Sequence, residues 1–332
     1  MKRLVLVLSL LCGACDLSPG LDIETPAHQP GVVIRSVLQS GSTARVRVTT
    51  SRDPFETEAS AGLVATPSRT DAAVTLWRDG DLVETLQARE RTCYRAQTST
   101  CNVETGMTET SRSDPYDCGF YTGSVAIEAG ATYTVRVELP GLEAAEATVT
   151  IPDPPVIEAV ELAPDGDRRR YELRITDPPG LGHRYGLTIL REFDRYPASV
   201  CAVGGPRDTL IVLSRPSTYR SHFATRDPVL LTAALEAGGD IHFVTFPDDA
   251  FDGQTRSFEI EADTYARPDR DTGAVRLQVS AISPLLYDAY QQTTFGLEDN
   301  PFAEPAALPV NVEGGFGRVG AVAVTEARIP PP

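Results

Sequence analysis

The chain has 332 residues, 41% of them hydrophobic, which suffices for a sizeable core and excludes gross disorder. Its formal net charge of −16 argues against nucleic acid and anionic lipid headgroups as partners, because an acidic surface gains nothing by releasing counterions from phosphate. The 26 prolines and 26 glycines suit many short strands joined by turns.

The first predicted element is a signal. Lys2 and Arg3 form a positive head, and the run from Leu4 to Leu11 is apolar but too short to span a bilayer. Gly13 and Ala14 then precede Cys15. This resembles a lipoprotein processing site, in which cleavage falls before the cysteine and the cysteine sulfur carries diacylglycerol. The position three before Cys15 is Cys12 where such signals usually have Leu. The resemblance implies a signal peptide at 1–14 and a lipid on Cys15; an ordinary signal peptide is the alternative. Loss of residues 1–14 removes two cations and no acid, leaving 28 against 46, or −18. Residues 15–31 are polar, rich in Pro and Gly and without periodicity, and read as a flexible tether. No later stretch approaches a membrane-spanning length.

Strict alternation begins at Val32. Val46 and Val48 face one way and Arg45 and Arg47 the other; Tyr133, Val135, Val137 and Leu139 form a second apolar row. Asp79-Gly80 predicts a tight hairpin, because Gly tolerates positive φ. Strands at this spacing predict a β-sandwich domain over 32–152, immunoglobulin-like or prealbumin-like. Besides Cys15, four cysteines remain after the signal. Cys93, Cys101 and Cys118 bracket a polar insertion and Cys201 lies far downstream. Outside the cytoplasm they allow two bridges in any of three connectivities, and the spacing lacks the C-x-x-C of a zinc site.

The prolines of 151–156 mark the predicted boundary to a second, mainly β domain over 153–332. Its strands include the segments around Tyr171-Leu173-Ile175 and "AVRLQVSAI". One short helix is expected near 284–294, with Ser283 as cap, Pro284 in the first turn and Leu286, Ala289 and Tyr290 on one face; a second is expected over 228–239, ending at Gly238. Asp248, Asp252, Gly253 and Glu259 match four positions of an EF-hand loop. However, Ala250 replaces a ligand and the flank alternates like a strand, so the expected structure is a turn with Phe251 in the core.

"GGFGRVG" places Gly315, Gly317 and Gly320 in a G-x-G-x-x-G pattern, but only 12 residues follow, too few for a βαβ unit. No dinucleotide site is expected. The glycines are expected to bend or bulge a terminal strand that closes the second domain on its own core. No nucleophile elbow and no H-E-x-x-H motif occur, so neither catalytic residues nor metal or cofactor ligands are assigned. Adjacent acids are unavoidable with 46 of them, which keeps a hydrolase as the weakest reading.

Several segments together resemble an uncharacterised Bacteroidota lipoprotein family, domain of unknown function 4249. These are "DAAVTLWRDG", "CGFYTGSVAIEAGATYTVRVELPG" and "IPDPP". They continue with the Asp177-Pro178-Pro179-Gly180 segment, the "FPDDAFDGQ" segment carrying Phe251 and Gly253, the helix "SAISPLLYDAYQQ", and a Pro-Phe pair before Asn311, Glu313, Gly314, Gly315 and Gly317. They occur in order from about residue 32 to 325. His183-Arg184-Tyr185 departs from the family's usual Asn-Tyr-Tyr, and the cysteine-bearing insertion is unusual. The resemblance implies a non-enzymatic, lipid-anchored outer-membrane protein, an accessory that captures ligand for a TonB-dependent receptor in nutrient uptake. A stand-alone surface adhesin or glycan-binding module is the alternative.

Overall fold

The computed structural model describes residues 28–53, 66–94, 97–113, 115–165, 168–236, 242–262, 274–295 and 308–330. Cys15, the signal segment, most of the tether, the expected helix end at Gly238 and the Pro301-Phe302 pair lie outside the described residues. Nearly all described residues fall in one unit, Pro30–Ser51 with Glu58–Pro332. Of the smaller unit, residues 28–29 and 52–53 are described, and they carry no regular element.

The chain is mainly β, with several sheets and two short helices among the described residues. The first half holds β1 (Val32–Gln39), β2 (Thr43–Thr50), β3 (Ala73–Arg78), β4 (Asp81–Thr85), β5 (Gln87–Arg89) and β6 (Thr92–Tyr94). It continues with β7 (Gln97–Asn102), β8 (Met107–Arg112), β9 (Pro115–Asp117), β10 (Phe120–Ala126), β11 (Thr132–Glu138) and β12 (Ala145–Thr150). The second half holds β13 (Val156–Asp165), β14 (Arg168–Thr176), β15 (Arg184–Val200), β16 (Arg207–Ser221), β17 (Phe223–Thr225) and α1 (Pro228–Glu236). It ends with β18 (Val244–Pro247), β19 (Thr255–Ala262), β20 (Val275–Ile282), α2 (Pro284–Phe295), β21 (Val312–Glu313) and β22 (Phe316–Ile329).

One nine-stranded sheet runs β16-β15-β20-β22-β1-β2-β10-β5, with β18 also paired to β15. A five-stranded sheet runs β21-β12-β11-β3-β4, and a four-stranded sheet β13-β14-β19-β17. The alternation in the sequence maps onto these faces. Val46, Val48, Tyr133, Val135 and Val137 are fully buried and Leu139 nearly so, and each such side chain favours folding by roughly 1.5–3 kcal/mol. Asp79 and Gly80 both adopt positive φ, 51° and 94°, as a two-residue hairpin turn demands.

Buried side chains form two clusters. One draws on β1, β2 and β10 of the large sheet and β3, β11 and β12 of the five-stranded sheet. The other draws on β14, β15, β18, β19, β20 and α1. Strand β22 serves both: Val319 and Ala321 belong to the first cluster and Ile329 to the second. It runs parallel to β1 and antiparallel to β20.

That placement corrects the expectation for the glycine run. The run does not close the second half on itself; it seats the last strand against the first. Gly314 and Gly317 have φ of 70° and 101°, and a methyl group on Gly317 would lie 2.1 Å from the Ile34 carbonyl oxygen. Gly320 is small because α2 packs there, with Leu286 Cβ 2.8 Å from where its own Cβ would be. Ser283 also differs from expectation: its hydroxyl accepts a hydrogen bond from Ala321 N at 3.0 Å, tying the helix start to β22. In α1 the cap is Asp227, whose carboxylate accepts from Val229 N at 2.9 Å; the Asp227-Pro228 step was a legible signal.

Candidate functional site

Two loops meet at one end of β15. The first, Asp177 to His183, joins β14 to β15; two prolines deny it backbone donors, and Gly180 and Gly182 turn it at φ of 122° and 113°. The second, Asp248 to Gln254, joins β18 to β19 through tight turns, with Phe251 N donating to Asp248 O and Gln254 N to Phe251 O. Pairing of β15 with β18, Tyr185 opposite Phe246, brings the loops together. Backbone bonds from Asp177 N to Gln254 O and from Asp248 N to His183 O then lock them.

Side chains complete the junction. Asp177 Oδ2 accepts from Gly253 N at 2.9 Å, and its Oδ1 accepts from the Tyr185 hydroxyl. Asp248 accepts from Gly182 N and His183 N at 3.0–3.2 Å. Asp252, on the loop surface, accepts from Gly180 N at 2.7 Å. The rings of Tyr185, Phe246 and Phe251 pack as a triangle, with Tyr185 5.8 and 5.9 Å from the other two centroids. Burial and the bond to Asp177 push the Tyr185 phenol well above its ordinary range, so it stays a neutral donor.

Both carboxylate side chains are fully buried. His183 Nδ1 lies 3.3 Å from Asp177 Oδ1 and 3.3 Å from Asp248 Oδ2, and Arg184 stands 3.7 Å from Asp248 Oδ1. Thus the Asp177 and Phe251-Gly253 segments come together, as does Asp248, whereas the other signature residues lie elsewhere. Asn311 bridges β12 and β22: its side-chain amide donates to Thr148 O and Val319 O and accepts from Val319 N. Glu313 sits in β21 opposite Glu146. The EF-hand pattern does not converge, because Glu259 pairs with Arg170 on β14. Sequence reading missed His183 as a partner of two buried acids. Its nearness to Asp248, 65 positions away, has no local signature.

A second feature projects from the sheet. Strand β15 pairs with β20 only from Tyr185 to Arg191, whereas its pairing with β16 continues to Val200 opposite Arg207. The overhanging hairpin meets the β7–β8 hairpin of the polar insertion. Disulfides Cys93–Cys118 and Cys101–Cys201 settle the connectivity left open above. The first closes the insertion at its base; the second clips its tip to the β15–β16 hairpin. Val103, Met107 and Val203 stand there 52%, 66% and 62% exposed.

Comparison with known families now bears on these loops. The model of a family described as "Domain of unknown function (DUF4249)" matches residues 20–328. The chain belongs to the DUF4249 family. The match covers nearly the whole chain, including both loops of the Asp177–Asp248 junction, the clipped arm and the Asn311–Gly317 run. A search of curated proteins finds no match. Among the described residues, no helix is long and apolar enough to cross a membrane.

Proposed function

We propose that this DUF4249 chain is an outer-membrane lipoprotein, anchored through Cys15, that captures ligand without turnover as the accessory of a TonB-dependent receptor. One observation carries the reading: the Lys2-Arg3 head, the Leu4–Leu11 run and Gly13-Ala14-Cys15 coincide ahead of a polar leash. The receptor as partner rests on the family resemblance. A tether of this kind raises the local concentration of a binding module beside a membrane protein. The exposed apolar tip at Val103, Met107 and Val203 supports docking onto another protein. The buried aspartates support a binding role, since backbone amides and a tyrosine hydroxyl hold them in fixed orientation.

Affinity purification of the tagged full chain from gently solubilised outer membranes tests the proposal. The wild type is expected to bring down a β-barrel receptor, and Cys15→Ser to leave the membrane fraction and lose it. A monodisperse lipoprotein with no barrel partner, or an unacylated secreted chain by mass spectrometry, would overturn it.

A further inference from the structure

We propose that Asp177, His183 and Asp248 form a binding site for a divalent transition-metal ion of the Zn²⁺ class. The three ligand atoms, Asp177 Oδ1, His183 Nδ1 and one oxygen of Asp248, already lie within 4.8 Å of one another. The two nitrogen–oxygen separations are both 3.3 Å. Metal–ligand bonds of about 2.0–2.2 Å at tetrahedral angles place neighbouring ligands roughly 3.3–3.5 Å apart. The two nitrogen–oxygen edges already have the length such a site needs.

An independent observation points the same way. The Nδ1 atom of His183 is buried and makes no hydrogen bond. A buried ring nitrogen normally finds a partner, because leaving it desolvated and unpaired is unfavourable. Here it faces two buried carboxylates that it approaches without hydrogen-bond geometry. A cation between the three satisfies the nitrogen and offsets the paired negative charges; Arg184 stands 3.7 Å from one oxygen of Asp248.

The surroundings suit the role. Gly253 N and the Tyr185 hydroxyl fix Asp177, and Gly182 N and His183 N fix Asp248, as outer groups orient metal ligands. All three ligand atoms are buried, and His183, its side chain 39% exposed, is the member of the set nearest solvent. One imidazole with two carboxylates favours Zn²⁺ and its neighbours over Ca²⁺ or Mg²⁺, which select all-oxygen sites.

The test uses full-length protein stripped with chelator and titrated calorimetrically with Zn²⁺, and in parallel with Ca²⁺. One Zn²⁺ per chain is expected with Kd of about 1 µM or tighter, with a rise in Tm. Co²⁺ should give the visible absorption of a low-symmetry nitrogen–oxygen site. His183→Asn keeps a side-chain donor beside both carboxylates, so it is expected to fold as the wild type does. It should bind Zn²⁺ at least roughly tenfold to a hundredfold more weakly and lose the Co²⁺ spectrum. Unchanged Zn²⁺ binding in folded His183→Asn, no binding by the wild type, or preference for Ca²⁺ would each overturn the assignment. Failure to recover a receptor leaves this test untouched, since it needs neither anchor nor partner.

Discussion

Glu192 is a charged side chain that the core holds at a cost offset by geometry. It sits on β15 with its side chain almost buried and bonds two guanidiniums, Arg276 on the adjacent β20 and Arg328 on β22, one strand further. Those bonds, Arg328 first, outweigh desolvation and bring its carboxyl down to about 2. A carboxyl lowered on folding contributes stability that is complete above its ordinary pKa and lost as pH falls toward the lowered one. The window here runs from 4.5 down to about 2. Glu192→Gln is therefore expected to cost roughly 1–3 kcal/mol near neutral pH. In urea melts the gap to wild type should hold from pH 7 to about 5 and shrink steadily below 4.5. A gap that stays constant down to about pH 2.5 would show that Glu192 gains nothing from its charge.

At the scale of elements, the clipped arm shows where strands form without a core. Every residue of β8 is exposed and β7 is nearly so, and an isolated two-stranded ribbon is at best marginal in water. The Cys101–Cys201 bridge, joining positions 100 apart, restricts the unfolded chain and pins the ribbon to the β15–β16 hairpin. The double variant Cys101→Ser/Cys201→Ser is expected to lose about 2–5 kcal/mol. Hydrogen exchange should quicken across 97–112 and at the hairpin tip while β20 and β22 stay protected; uniform loosening everywhere would contradict this. The arm also marks the limit of what the sequence reveals. Rows such as Tyr133-Val135-Val137, and helix faces such as Leu286-Ala289, are legible because burial imposes a period on consecutive residues. Gln97–Asn102 carries no such period, so nothing local announces it. Likewise Asp177, His183 and Asp248 stand out only one at a time, as a signature residue, a departure from the family's Asn and the first position of a discounted EF-hand pattern. Their junction depends on β15 pairing with β18, a partner choice that no short window encodes.

For the whole molecule the decisive strand is β22, flanked by β1 and β20 and contributing to both hydrophobic clusters. A chain ending at residue 307 would leave β1 and β20 as raw edges and remove Val319, Ala321 and Ile329 from the two cores. It is expected to show no cooperative denaturant transition, either in the fluorescence of Trp77 in β3 or in the near-ultraviolet signal of the tyrosines. The full chain should give one shared transition by both probes. A sharp Trp77 transition surviving the truncation would show that the first half stands without β22. The β1–β22 ladder also governs how a newly made chain reaches its native state. Val33 is paired with Phe316, so the first of the described strands waits for the last. Until Phe316–Ile329 arrives, a nascent molecule keeps that side of Val32–Gln39 open, and such distant pairing is slow and prone to misassociation. The order of synthesis thus leaves the β1 edge without its β22 partner for the time it takes to make the intervening chain.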